Sequence, residues 1–183
     1  MKHPNWLRTA GVFTAIALVA TACSAGSGHD PTGDAANNPA TTTSDAGDPV
    51  PVDSFEMFSG EPATLGDYAG RPLVVNFWAS WCPSCVAEMS AAFLPAQLSL
   101  GDEVDFLGLN IQDEREKALE LVDETGVLFD LAEDREGALY TALGGLGMPF
   151  TVFVSADGRV VDVHNGPLTE SQLVDRIVEV LLP

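Results

Sequence analysis

The order of apolar patterns along the 183-residue chain predicts an α/β fold, a three-layer sandwich with a mixed β-sheet flanked by helices. Three observations carry this. Leu73–Trp78 and Val104–Asn110 are apolar runs of strand length, each followed by a helical pattern. Phe150–Ser155 is a third such run, joined to Arg159–His164 by Asp157-Gly158, a dipeptide that favours a hairpin turn. A last amphipathic helix then carries Leu173, Val174, Ile177, Val178 and Leu181 on one stripe, opened by the capping box Thr169-Glu170-Ser171-Gln172.

From the N-terminus, Lys2 and Arg8 precede the uncharged apolar run Thr9–Ala22, which is short for a bilayer span and reads as a signal peptide over residues 1–22. Residues 24–49 are rich in Ser, Gly, Asp, Thr, Asn, Ala and Pro and lack aromatic and large aliphatic side chains. Such a stretch buries too little surface to offset the entropy of ordering, so residues 23–49 are expected to form a tether. The folded domain is expected over residues 50–183. Phe55, Met57 and Phe58 place a short first strand, and Leu65–Gly70 a turn or short helical segment. Asp113-Glu114-Arg115-Glu116 reads as a capping box opening a helix to about Thr125, with Ala118, Leu119 and Val122 on its inner face. A shorter helix is expected from Asp134, stopping at Gly144-Gly145.

The chemistry concentrates in Cys82-Pro83-Ser84-Cys85, between the strand Leu73–Trp78 and a helical pattern. Pro83 suits the first helical position. Cys82 then lies at the helix mouth, where unpaired N–H groups and the helix dipole favour a thiolate. Cys85, three residues on, shares its face, and the two sulfurs are placed to close a disulfide. Two other readings fit less well. A zinc site lacks a second CxxC or a His pair, and a structural disulfide over so short a loop constrains little of the unfolded chain. The net charge of −19 argues against nucleic-acid binding through phosphates.

The stretch Phe77-Trp78-Ala79-Ser80-Trp81-Cys82-Pro83-Ser84-Cys85 resembles the thioredoxin superfamily, in particular its extracytoplasmic TlpA/ResA-like thiol–disulfide oxidoreductases. Leu65–Pro72, Gly147–Val154 and Asp157–Val161 resemble further segments of that family. The resemblance implies a thioredoxin-like sandwich and an enzyme that exchanges thiols and disulfides without cofactor or metal, Cys82 attacking and Cys85 resolving. It implies a cis Met148–Pro149 bond facing the cysteines, with Trp81, Pro83, Ser84 and Met148 on the substrate-facing rim. Glu88, on the helix face of Cys85, matches a family glutamate that influences cysteine reactivity. Asn76 stands where cytoplasmic thioredoxins carry a buried Asp, and an amide cannot ionise. Trp78 and Trp81 are expected to pack around the rim, and His164 to be structural. Ser90 stands where the family has a helix-bending Pro, so the bend is placed later, near Pro95.

Leu18–Ser24 resembles a bacterial lipobox, departing from it at Ala20. This implies a lipid on Cys23 and a place on the outer face of the cytoplasmic membrane, with ordinary cleavage near Ala22 and secretion as the alternative. The expected partners are thiols or disulfides of envelope proteins, cytochrome c maturation being one family setting, and a membrane thiol reductase as electron donor. A monomer is expected. An oxidase that installs disulfides is the alternative direction. A copper chaperone on the same fold would use CxxxC and a third His ligand, and a peroxidase would use Thr-x-x-Cys; neither pattern stands here.

Overall fold

A computed structural model describes residues 47–182. The expected signal peptide, the lipid site Cys23 and the tether up to residue 46 lie outside the described residues. The first strand among the described residues, β1 (Asp48–Pro49), precedes the expected border at residue 50. There follow β2 (Ser54–Met57), β3 (Pro62–Thr64), a 3₁₀ turn (Leu65–Tyr68) and β4 (Leu73–Trp78). Then come α1 (Pro83–Glu88), a π-helical turn (Met89–Phe93), α2 (Leu94–Leu100), β5 (Asp105–Ile111), α3 (Arg115–Thr125) and β6 (Asp130–Asp134). The chain closes with α4 (Ala138–Ala142), β7 (Phe150–Val154), β8 (Arg159–Asn165) and α5 (Glu170–Leu181).

Among the described residues the strands form one mixed sheet in the order β1-β8-β7-β4-β5-β6-β2-β3. β4 lies at its centre, parallel to β5 and antiparallel to β7. All six β4 residues are buried, which is why the sequence reads as a continuous apolar run rather than an alternation. Val74 and Trp78 point to the side where α1, the π turn, α2, α3 and α5 pack, through Cys85, Met89, Phe93, Ala96, Ala118, Leu173 and Ile177. Leu73, Val75 and Phe77 point to the other, covered by Leu65 of the 3₁₀ turn and Leu139 of α4. The predicted three layers are thus present, and so is the capping box at Thr169, where Thr169 Oγ1 accepts from Gln172 N–H at 3.3 Å.

Four local expectations are corrected. Asp134, the expected start of a helix, instead ends the strand Asp130–Asp134, and α4 begins only at Ala138. Its buried Glu133 pairs with Arg115 and Arg135, so charge that reads as solvent-facing is neutralised inside the sheet. The capping box at Asp113 does not form: α3 starts at Arg115, and no side chain caps it. On α3 the inner residues are Ala118, Leu121 and Thr125, while Leu119 is exposed. Lastly, the irregularity in the active-site helix starts at Met89, upstream of Pro95. Pro95 lacks an N–H and crowds the carbonyl four residues back, so the preceding turn opens to a π geometry in which Leu94 N–H donates to Met89 O.

Trp78 is wholly buried, against the rim position expected for it. It packs on Phe58 at 6.4 Å between ring centroids and lies against Gly108 of β5. A Cβ on Gly108 would meet Leu131 Cδ2 at 2.8 Å, and Phe129 Cε2 and Trp78 Nε1 at 3.0 Å. Gly108→Ala should therefore destabilise the domain by about 1–3 kcal/mol through overpacking. Urea unfolding checks this, and an unchanged midpoint would contradict the close fit.

Candidate active site

The carboxyl ends of the parallel pair β4 and β5 carry the site, the usual place in an open α/β sheet. Cys82 caps α1, with Pro83 in its first turn, and Cys82 Sγ accepts from Cys85 N–H at 3.3 Å. Cys82 and Cys85 form a disulfide. Both are buried, Cys82 with 5% exposure and Cys85 with none, so Cys82 is the less shielded residue of the two. Ser84 Oγ lies 3.5 Å from Cys82 Sγ. The Met148–Pro149 peptide at the start of β7 is cis. Trp81 is 55% exposed and stands at the rim, its Nε1 donating to Gln112 O at 3.0 Å. Half-buried Met148 touches both core clusters.

Glu88 is buried, one helical turn beyond Cys85 and on the same face. Its Oε1 accepts from Leu168 N–H at 2.6 Å, and its Oε2 from Asn76 Nδ2 at 3.3 Å. Burial raises the carboxyl against these two bonds, which lower it, and it ends at about 7. Asn76 comes from β4, in register with Thr151 of β7. It is therefore not a bystander where an acid is missing; it is the carboxyl's direct partner. Its Oδ1 has no partner among the described residues. An amide suits both states of its neighbour: Nδ2 donates to a carboxylate, and, turned over, Oδ1 accepts from a carboxylic acid. A groove of about 410 Å³ between Ala87 of α1, Ala91 of the π turn and Pro167–Thr169 opens beside Glu88.

A second group, missed at sequence level, lies behind Ser80 and Trp81. Asp113 Oδ2 accepts from Ser80 N–H at 2.5 Å and Asn110 Nδ2 at 2.9 Å; its Oδ1 accepts from Ser80 Oγ at 2.7 Å and Glu114 N–H at 2.8 Å. Partial burial pushes this carboxyl up, but the bonds outweigh it and hold it below the usual range. The only sequence signal was an Asp beside charged residues, which resembles a helix cap. No cluster of three or more His, Cys, Asp or Glu suited to a metal occurs among the described residues.

A redox-active CxxC at the mouth of a helix, on a central strand of a thioredoxin-like sheet, defines a thiol–disulfide oxidoreductase. The chain belongs to the Redoxin family, whose model matches residues 45–181, and within the thioredoxin superfamily it is TlpA/ResA-like. It is 28% identical to the thiol-disulfide oxidoreductase ResA of Halalkalibacterium halodurans over 70% of this chain and 73% of that protein. It is 33% identical to the thiol:disulfide interchange protein DsbE of Tatumella citrea over 72% of this chain and 71% of that one. Across curated relatives the matched share of their length runs from 73% down to 52%. Among solved structures, MTB DsbF in mixed oxidized and reduced forms superposes with a TM-score of 0.65 at 28% identity, covering 71% of this chain and 98% of that one.

Since folding raises the Glu88 carboxyl from 4.5 to about 7, its protonated form is favoured in the folded state. Its contribution to stability is complete below the lower value and is lost as pH rises through the upper one, on the order of 3 kcal/mol in all. Glu88→Gln, which stays neutral, should match the wild type near pH 4.5 and exceed it in urea resistance near pH 8. Parallel stability curves for the two oxidised proteins would contradict this.

Proposed function

We propose that the protein reduces disulfides in envelope proteins, with Cys82 as the attacking sulfur, Cys85 as the resolving one and Glu88 as the carrier of the Cys85 proton. The observation that carries the reading is the buried carboxyl at about 7, one turn from the shielded cysteine. The Cys82 thiolate attacks one sulfur of the partner's disulfide, forming a mixed disulfide and releasing a partner thiolate. Cys85 passes its proton to the Glu88 carboxylate, and the resulting thiolate attacks Cys82 Sγ. The Cys82–Cys85 disulfide forms and the second partner thiolate leaves. Two electrons have moved to the partner, whose thiolates take up protons. The proton on Glu88 leaves by the neighbouring groove.

A carboxylate beside the pair opposes thiolate formation, which disfavours a strongly oxidising couple and supports reduction over oxidation. Thioredoxin-fold oxidoreductases span about −270 to −120 mV, where about 30 mV is worth about 1.4 kcal/mol. We place this pair toward the reducing end. The rim residues Trp81, Pro83, Ser84, Met148 and Pro149 receive the partner segment.

The location follows the same line of support: a relative of this fold is described as secreted, and residues 1–24 resemble a lipoprotein leader. We place the domain outside the cytoplasm, on a lipid at Cys23, as a monomer fed by a membrane thiol reductase. Cytochrome c maturation is the setting the family resemblance favours.

Cys85→Ser should trap partners covalently on Cys82, and iodoacetamide should label Cys82 before Cys85 in the reduced wild type. First labelling of Cys85 would overturn the assignment. Equilibration with glutathione should give a potential toward the reducing end. A value near the oxidising end, together with efficient oxidation of a reduced substrate, would overturn the direction.

A further inference from the structure

The turn that delivers Cys82 to α1 is held from the neighbouring strand's loop at each of its central residues. Cys82 N–H donates to Ala79 O at 3.1 Å, closing the turn 79–82. Its first central residue, Ser80, gives both its N–H and its hydroxyl to Asp113, and its second, Trp81, gives its indole N–H to Gln112 O. Asn110 completes the clasp by donating to Asp113, with a longer contact of 3.5 Å to Trp78 O.

The backbone that carries this clasp is itself unusual. Gln112 has φ 47°, the only positive φ outside glycine among the described residues. A residue in that region persists where its surroundings over-determine it. Here the surroundings are the two bonds that flank it in sequence, its own carbonyl to Trp81 and the Asp113 carboxylate to Ser80.

In the oxidised protein the disulfide ties Cys82 to the helix. Reduction removes that tie when the sulfur must stay at the helix mouth, stabilised as a thiolate and aimed at the partner. No cysteine side chain takes part in the clasp, whose side-chain bonds come from Ser80, Trp81, Asn110 and Asp113. We propose that Asp113 is a positioning residue for thiol–disulfide exchange, holding the 79–82 turn so that the reduced Cys82 sulfur keeps its place at the start of α1. This rests on Cys82 being the attacking sulfur. Labelling of the wild type settles that point separately, before any variant is compared.

The test compares two variants that both remove the Asp113 charge. Asp113→Asn keeps an oxygen able to accept from Ser80, whereas Asp113→Ala keeps none. The readouts are the rate at which reduced protein attacks an aromatic probe disulfide and the titration midpoint of the Cys82 thiolate. Asp113→Ala should slow the attack by about tenfold, the cost of a small misplacement of a reacting atom, and move the midpoint up. Asp113→Asn should recover most of both. Equal losses in the two variants would assign the effect to charge, and unchanged rates in folded Asp113→Ala protein would remove it altogether; either overturns the proposal. If Asp113→Ala does not fold, Ser80→Ala decides, since it deletes one clasp bond and keeps the charge. A slower attack supports the proposal and an unchanged one overturns it.

Discussion

The hydrogen bond from Leu168 N–H to the buried Glu88 carboxylate is the contact on which the active-site arrangement depends. It crosses from the segment leading into α5 to the underside of α1, and it fixes an ionisable group inside the helical layer. A carboxylate there would be too costly without donors, and two donors against full burial leave it balanced near neutrality. A third donor would hold it ionised, and fewer would hold it protonated. In the exchange we propose, that balance lets it both take and return a proton near neutral pH.

That balance is a product of the sheet as much as of the helix. Asn76 reaches Glu88 because residues 74, 76 and 78 of β4 share the face on which α1 lies, and the same alternation sends Leu73, Val75 and Phe77 to the opposite core. One strand therefore supplies the apolar floor for both layers and a polar contact under the cysteines. The π turn follows α1 directly with Met89 and Phe93 facing the core, and α2 resumes with Ala96 still on that side. Pro95 thus alters the helix below the site without disturbing Cys82, Cys85 or Glu88.

Much of this was legible in the sequence, for physical reasons. Buried central strands are continuous apolar runs, so β4, β5 and β7 could be placed within a residue or two. The CxxC and its helix were readable because Pro83 and the strand before it constrain local geometry. Other features depend on contacts across distant sequence. The strand Asp130–Asp134 is short and acidic and carries no apolar run to mark it; the pairing of Glu133 with Arg115 and Arg135 is what lets it sit in the sheet. Asp113 looks like a cap, and only the adjacency of β4 and β5 reveals that it binds Ser80. Asn76 could be recognised as unable to ionise, but its contact with Glu88 depends on helix placement.

The proposed exchange requires Glu88 to titrate near neutrality and to feel the cysteine pair above it. Carbon NMR titration of the labelled Glu88 carboxyl, in oxidised and reduced protein, addresses this most directly. The midpoint should be about 7 in the oxidised form and higher after reduction, because a Cys82 thiolate adds negative charge nearby. A midpoint in the ordinary carboxyl range near 4.5 that ignores the redox state would contradict it.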